Sequence, residues 1–189
     1  VLAGCSKKAS EEAADTAKTE TVDVSGKHQV EIKVKDYGTI KVELDGDTAP
    51  ITVANFLKLV NEGFYDGLTF HRIIDGFMIQ GGDPKGNGTG GSDETIKGEF
   101  SENGVENNIS HVRGTISMAR SQLMDSASSQ FFIVQADSTY LDGQYAAFGT
   151  VTEGMEIVDQ ICADTPVEDN NGTVQAKNQP VIESIKVVE

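Results

Sequence analysis

Two short segments of the chain hold the side chains best suited to chemistry. One is Phe70–Asp83, with the sequence FHRIIDGFMIQGGD, and the other is Gly114–Ile133. Each combines arginine and glutamine with apolar and aromatic residues. Arginine stays charged and presents rigid donors, so it can stabilise a lone pair or negative charge that develops in a reaction. The two segments therefore suggest a cationic donor beside an apolar surface.

The sequence does not support two other kinds of chemistry. The histidines His28, His71 and His111 show no i, i+4 pairing and no adjacent cysteine, so we predict structural roles for them and no zinc site. The glycine-rich segment 86–91 lacks the Gly-Lys-Ser/Thr ending of a phosphate loop and does not open a helix. The sequence thus predicts neither a metal nor a cofactor.

The elements that must position these segments are mostly short strands. Apolar residues alternate with charged ones on both sides of Asp36-Tyr37-Gly38, which predicts a hairpin over 28–44. A helical pattern then begins at Thr48-Ala49-Pro50, with Thr48 as the expected N-cap, and stops at Gly63.

Six further strands and one helix are predicted downstream. The helix covers Met155–Cys162, with Cys162 as a small buried hydrophobe on its apolar stripe. Many short strands with two helices suggest a mainly β fold, a closed antiparallel barrel with helices over its ends. The predicted strands are Thr69–Ile74, Phe77–Gln80, Gly114–Met118, Gln130–Val134, Ala147–Val151 and Val181–Val188.

The order of these motifs resembles that of one family. After the two segments above comes a third block, Tyr140-Leu141-Asp142-Gly143 with Phe148-Gly149. Together they resemble the cyclophilin family of peptidyl-prolyl cis-trans isomerases over about residues 28–188. The resemblance implies a closed eight-stranded antiparallel β-barrel capped by two α-helices.

The implied reaction suits these residue types. Rotation about an X–Pro bond meets a resonance barrier of about 18–20 kcal/mol, and a catalyst must bind the twisted amide better than the planar one. No bond is broken, so no nucleophile, metal or cofactor is required. By resemblance, Arg72 is the catalytic guanidinium, and Gln80 and Phe77 belong to the catalytic set.

The resemblance also implies a substrate groove. Strand alternation places Met78 and Gln80 on one face and Phe77 on the other, unless the strand bends there. Only the family pattern therefore puts all three in one pocket. The residues expected to bind substrate are Met78, Gly88, Thr89, Ala119, Arg120, Gln130, Phe132, Tyr140, Leu141 and Tyr145.

Two positions depart from the family pattern in ways that affect expectations. Asp75 replaces a common proline and should add negative charge near Arg72. Tyr140 stands where many eukaryotic members carry tryptophan, a residue important for cyclosporin binding, so we expect weaker drug sensitivity.

Composition narrows the possible partners. The chain has 15 Lys and Arg against 30 Asp and Glu, a formal net charge of −15 over 189 residues. That charge argues against nucleic acid and against a polybasic membrane patch, and it favours a monomer. The expected partners are proline-containing segments of unfolded or exported proteins. The alternative function is a module or chaperone that binds such segments with incidental turnover.

The N-terminal residues suggest a separate role. Leu2-Ala3-Gly4-Cys5 resembles the end of a bacterial lipoprotein signal peptide, in which Cys5 would be lipidated, although an accidental cluster of small residues could look the same. Residues 6–27 are polar and favour a flexible tether over a short helix near 9–18. We therefore expect segments 1–5, 6–27 and 28–189, and an extracytoplasmic domain anchored by lipid to a bacterial membrane.

Overall fold

The computed structural model describes residues 22–189, and in that part eight antiparallel strands form one curled sheet. Two α-helices, α1 (Pro50–Asn61) and α2 (Met155–Asp164), pack against it. The strands are β1 (Lys27–Val34), β2 (Gly38–Asp45), β3 (Phe70–Ile74), β4 (Met78–Gly81), β5 (Thr115–Met118), β6 (Phe131–Val134), β7 (Ala147–Glu153) and β8 (Ile182–Val188). Their order in the sheet is β3-β4-β6-β5-β7-β2-β1-β8. The predicted mainly β class with two helices is confirmed.

The sheet is less closed than the sequence predicted. Its edge strands β3 and β8 are joined only near their beginnings, through the isolated bridge Thr69–Val181. Hydrogen bonds on either side support that bridge, from the Phe70 N–H to the Pro180 carbonyl at 3.0 Å and from the Ile182 N–H to the Leu68 carbonyl at 2.8 Å. The word "closed" therefore overstates the geometry, because the two edges do not form a continuous ladder.

The first hairpin and its turn follow the prediction. Strands β1 and β2 pair in register from Lys27–Asp45 to Val34–Gly38. Asp36 occupies the turn with φ of 67°, the left-handed region that aspartate tolerates better than most residues. Alternation of buried and exposed residues along both strands points their apolar side chains into the core.

Helix α1 is capped from a distant part of the chain. The predicted N-cap, Thr48, instead donates its hydroxyl to Asp45 Oδ2 at 2.9 Å, and Ala49 at the cap position makes no side-chain bond. Buried Glu99 takes that place: its Oε1 accepts from the Thr52 N–H at 2.6 Å and the Thr52 hydroxyl at 2.7 Å. A carboxylate here also meets the positive end of the helix dipole. The prediction failed because a cap 47 residues away leaves no local signal.

Strands β4 and β6 bury both of their faces. Ile79, Phe131 and Ile133 point into the main core, where Phe131 meets the ring of Phe56 edge to face at 5.7 Å. The alternate residues Met78, Phe132 and Val134 form a second apolar cluster outside the barrel. The main core therefore supports the inner face of the strands that carry the outer cluster. No helix in residues 22–189 is long and apolar enough to cross a membrane.

The folded part begins before the predicted boundary at residue 28. Lys27 already belongs to β1, Val24 is buried, and the Gly46 N–H donates to the Gly26 carbonyl at 2.9 Å. A short chain segment packs here because Val24 supplies an apolar side chain that the composition of 6–27 as a whole concealed. The proposed lipidation site Cys5 and residues 6–21 lie outside the described part.

Replacing Glu99 should test the remote cap of α1. We expect Glu99→Ala to lower the free energy of unfolding by about 2–3 kcal/mol, because two buried Thr52 donors would lose a charged acceptor. Urea denaturation measures this loss. Glu102→Ala, which removes an exposed carboxylate nearby, should change stability by less than about 0.5 kcal/mol. Equal effects of the two substitutions would contradict the assignment.

Candidate active site

Strand register brings three predicted site residues into one row. Arg72 on β3 lies opposite Gln80 on β4, and Gln80 lies opposite Phe132 on β6. Directly paired residues of antiparallel strands project from the same face of the sheet. The row therefore places a guanidinium, an amide and an aromatic ring side by side on the outer face.

The Arg72 guanidinium is held by neighbours on two sides. Its Nη1 donates to Gln80 Oε1 at 3.1 Å, its Nε donates to the Asn171 carbonyl at 2.8 Å, and its Nη2 donates to Asn171 Oδ1 at 3.2 Å. Partial burial lowers the pKa of Arg72 from its ordinary value, but an arginine remains charged at neutral pH. The charge is therefore fixed in place and partly shielded from water.

A chain of amides continues from Gln80 to the glycine-rich loop. Gln80 Nε2 donates to Gln130 Oε1 at 2.9 Å, and Gln130 Nε2 donates to the carbonyls of Gly90 at 2.8 Å and Gly88 at 3.1 Å. In each glutamine both the amide oxygen and the amide nitrogen are engaged, which sets the orientation of both amides. Gln80 thus orients Arg72, and Gln130 orients Gln80.

Asp83 holds the glycine-rich loop, residues 86–91, through its backbone N–H groups and that of Lys85. Its side chain is buried and accepts from the backbone N–H groups of Lys85 at 2.8 Å, Gly88 at 2.6 Å and Asn87 at 3.2 Å. Burial raises the pKa of Asp83, but the backbone donors outweigh burial and hold the pKa below its usual value. The loop that receives Gln130 is thereby tied to the sheet.

A cavity with apolar and polar walls adjoins the held guanidinium. A cavity of about 660 Å³ lies between Arg72, the second apolar cluster and the glycine-rich loop. Phe77 reaches it because β4 begins only at Met78, so Phe77 sits in the preceding turn and escapes strand alternation. That turn is closed by the Phe77 N–H to the Ile74 carbonyl at 2.9 Å, with Gly76 at φ of 83°.

Most of the predicted site residues line this cavity or the cleft beside it. The second cleft, of about 330 Å³, is lined by Thr89 and Gln130 and shares walls with the main cavity at Gln80, Gly88, Ala119 and Arg120. The predicted residues that line the main cavity are Arg72, Phe77, Met78, Gln80, Gly88, Ala119, Arg120, Phe132, Leu141 and Tyr145.

Tyr140 is the predicted site residue that lies outside both cavities. It is 66% exposed, and its ring centre lies 6.0 Å from that of Phe77. Tyr140 and Leu141 belong to the 3₁₀ turn Thr139–Leu141, where successive side chains point about 120° apart. Leu141 faces the cavity and its neighbour therefore faces outward.

Asp75 does not line the main cavity with Arg72. It lines a separate cavity of about 230 Å³ together with Cys162. The expected addition of negative charge near Arg72 stays a prediction. Burial raises the pKa of the Cys162 thiol to about 12, which agrees with the predicted role of a small buried hydrophobe.

Arg120 forms the wall between the two cavities. Its guanidinium carbon lies 4.9 Å from the ring centres of both Phe100 and Tyr145, and its Nε donates to the Gln144 carbonyl at 2.9 Å. Cation–π contacts on two sides and a backbone acceptor hold the side chain in one position. Arg120 thus fixes the shape of the groove.

Sequence reasoning missed Asn171 and underestimated His71. Asn171 comes from the loop after α2, almost 100 positions from Arg72, and only its turn-like setting Asp169-Asn170-Asn171-Gly172 was visible. His71 was predicted to be structural, but it lines the main cavity while buried. Neither of its ring nitrogens has a hydrogen-bond partner within residues 22–189.

Comparisons with known proteins identify the class of protein that this fold and site define. The family model "Cyclophilin type peptidyl-prolyl cis-trans isomerase/CLD" matches residues 29–187. Peptidyl-prolyl cis-trans isomerase B of Bacillus subtilis is 50% identical over 123 residues, which cover 65% of this chain and 82% of that protein. Peptidyl-prolyl cis-trans isomerase A of Dickeya dadantii is 44% identical over 161 residues, covering 80% of each.

A solved structure shows the same likeness in three dimensions. The crystal structure of a Cryptosporidium parvum cyclophilin-type isomerase in the presence of the dipeptide Ala-Pro superposes with a TM-score of 0.75 and 31% identity. The match covers 85% of this chain and 99% of that one. The chain belongs to the cyclophilin-type peptidyl-prolyl cis-trans isomerases. Its reaction is the cis-trans isomerisation of X–Pro bonds in proline-containing peptides.

The buried imidazole of His71 should make stability depend on pH. Burial lowers the pKa of His71 in the folded state, so the unfolded chain, with a pKa near 6.5, binds the proton first. Stability is then fully present above pH 6.5 and is lost as the pH falls toward the folded pKa. We expect His71→Gln to reduce the stability lost between pH 7.5 and pH 5.5, by at most about 1.4 kcal/mol.

Denaturation curves of both proteins at the two pH values measure this difference. An identical loss in the variant would show that His71 does not resist protonation in the folded state.

Proposed function

We propose that Arg72 is the catalytic group of the isomerisation, and that Gln80 and Phe77 act with it. The observation that carries the proposal is the guanidinium held by Gln80 and Asn171 at the edge of a cavity whose floor is apolar. A charged donor in that position meets a bound proline on its nitrogen side. Phe77 supplies one wall of the cavity.

The geometry accounts for the rate in physical terms. Twisting the X–Pro bond breaks C–N resonance and localises a lone pair on the prolyl nitrogen. That nitrogen accepts a hydrogen bond from Arg72 in the twisted state and only weakly in the planar state. The interaction is therefore stronger in the transition state, which is the condition for acceleration. Because Gln80 and Asn171 already orient the guanidinium, little reorganisation accompanies the twist.

The apolar and polar parts of the groove would bind different parts of the substrate. We assign the proline ring to the cavity floor formed by Met78, Phe132 and Leu141. The residues before proline would lie across Ala119 toward the second cleft, where Thr89, Gln130 and Arg120 offer polar contacts. Met78 and Phe132 lie on adjacent strands and are backed by the main core, so the floor has little freedom to adapt.

The alternative, a module that only binds proline-containing segments, is not favoured by any feature of the site. Binding a proline ring requires the apolar floor but does not require a guanidinium whose Nε, Nη1 and Nη2 are all engaged. Holding a flexible arginine in one conformation costs side-chain entropy. That cost is consistent with a role in turnover.

Replacing Arg72 tests the proposed mechanism. We expect Arg72→Ala to lower kcat/KM for an Ala-Pro peptide by about 100-fold or more, about 2.7 kcal/mol in transition-state stabilisation. Arg72→Lys should still lose about tenfold, because an ammonium cannot bridge Gln80 and Asn171. Magnetisation-exchange NMR between the cis and trans peptide resonances measures the rate.

Arg113→Ala serves as the matched control, since Arg113 pairs with Asp159 at 2.7 Å and lines neither cavity. It should keep kcat/KM within about twofold. An Arg72→Ala protein that is folded by circular dichroism and as fast as wild type would refute the mechanism.

We further propose that the domain acts outside the cytoplasm on exported or surface proteins, as a monomer anchored through lipid on Cys5. The lipobox-like Leu2-Ala3-Gly4-Cys5 supports this, and so does the polar segment that separates it from β1. The net charge of −15 would keep the folded domain away from anionic lipid surfaces, so attachment would need the lipid. The same charge supports a monomer.

Cys5→Ser tests the anchor. Expressed in a bacterium behind a lipoprotein signal peptide, the parent protein should partition into the detergent phase, and the variant should remain in the aqueous phase. Cys162→Ala, which alters the buried thiol on α2, is the matched control and should partition like the parent. Mass spectrometry of the mature N-terminus should find an acylated cysteine; an unmodified Cys5 would rule out the anchor.

A further inference from the structure

A buried histidine that the proposed mechanism does not use lies against the proline pocket. His111 is completely buried, with its Nδ1 2.8 Å from Asp142 Oδ1 and its Nε2 2.8 Å from Ser117 Oγ. Its backbone N–H also donates to Asp142 Oδ1, at 2.7 Å. Both ring nitrogens are therefore engaged, in contrast to the unpartnered ring of His71.

The partners of His111 define its tautomer. The Asp142 carboxylate can only accept, so Nδ1 carries the proton and donates it. Nε2 is then an acceptor, and the Ser117 hydroxyl donates to it. Burial lowers the pKa of His111 although Asp142 opposes that effect, so the ring is neutral at pH 7. With a fixed tautomer and bonds on both sides, the imidazole has one orientation.

This ring touches or anchors three parts of the pocket wall. It stacks on Phe132 with ring centres 6.0 Å apart and planes at 19°, and it meets Tyr145 edge to face at 6.5 Å. Its bond to Asp142 restrains the third part, because Asp142 directly follows Leu141. Phe132, Tyr145 and Leu141 all line the main cavity. A single imidazole thus connects Phe132 on β6 with the segment 141–145.

A hydrolytic role for the same three residues is excluded by burial. Ser117, His111 and Asp142 have the residue types of a serine-hydrolase triad. Ser117, however, is fully buried on β5 and lines neither the main cavity nor the cleft beside it. Its hydroxyl cannot reach a substrate, so the arrangement can only act through the groups it holds.

We propose that His111 is a positioning residue for isomerisation, held by Asp142 and Ser117 so that Phe132, Leu141 and Tyr145 keep the prolyl nitrogen aligned with Arg72. The proposal rests on the proposed function of that pocket. Small displacements of a bound group cost much in rate and little in affinity, because alignment matters most in the transition state. His111 should therefore affect turnover more than binding.

Two substitutions remove the hydrogen bonds that hold His111 in different ways. His111→Phe retains a ring against Phe132 but loses both hydrogen bonds, and Asp142→Ala removes the acceptor. Each should lower the cis-trans exchange rate of an enzyme-bound Ala-Pro peptide about tenfold and change its Kd by less than threefold. Asp142→Asn keeps an acceptor oxygen and should return the rate to within threefold of wild type. The double variant should be no slower than the worse single variant.

A stability control separates positioning from folding. Thr52→Val also removes a buried hydrogen bond, to Glu99 at the start of α1, and should leave the exchange rate within twofold of wild type. If His111→Phe fails to fold, the Asp142→Ala and Asp142→Asn pair carries the test. Normal exchange in folded His111→Phe, or equal rates in the two Asp142 variants, would overturn the proposal. If the His111 proposal fails in this way while Arg72→Ala still loses activity, the proposed role of Arg72 stands and only the positioning role of His111 is refuted.

Discussion

Strand register is the constraint on which the rest of the site depends. Arg72, Gln80, Phe132 and Ser117 are paired across β3, β4, β6 and β5, so one row of the sheet runs from the Arg72 guanidinium to the residue that holds His111. A slip of one residue in any of these strands would turn its side chains to the other face. In β4, such a slip would turn the polar side chain of Gln80 toward the main core and separate it from Arg72 and Gln130. The core thereby protects the alignment of this row.

Local patterns revealed most of the fold and could not reveal its long-range contacts. The strands, both helices and the turn at Asp36 follow from alternation, helical spacing and turn residues, all of which lie within a few positions. Glu99 caps α1 and Asn171 holds Arg72 across large sequence separations, and nothing in the neighbouring residues signals either contact. Phe77 shows that a local pattern can also mislead. Strand alternation predicts that its side chain points away from the pocket. It lines the cavity because β4 begins only at Met78 and Phe77 lies in the preceding turn.

The chain as a whole is acidic, whereas the charged side chains that line its main cavity are cationic. The formal charge is −15, yet the charged residues that line the main cavity are Arg72, Lys85 and Arg120. The buried carboxylate of Asp83 is turned toward backbone N–H groups of the glycine-rich loop. Such an arrangement keeps carboxylates from forming ion pairs with Arg72, whose hydrogen bonds go to neutral amides and a carbonyl. Neutral partners orient a guanidinium without cancelling its charge, which is what the proposed mechanism requires of Arg72.

The hydrogen bonds among the side chains of the site also affect how the enzyme releases its substrate. Gln80 donates to Gln130, and Gln130 donates to the glycine-rich loop, so both amides already have partners before a planar peptide binds. In the proposed mechanism, the affinity for the planar peptide comes mainly from the proline ring on the apolar floor of the cavity. The interaction with Arg72 would form fully only when the amide is twisted. Such a division suits an isomerase, because tight binding of the planar amide would slow product release without lowering the barrier to rotation.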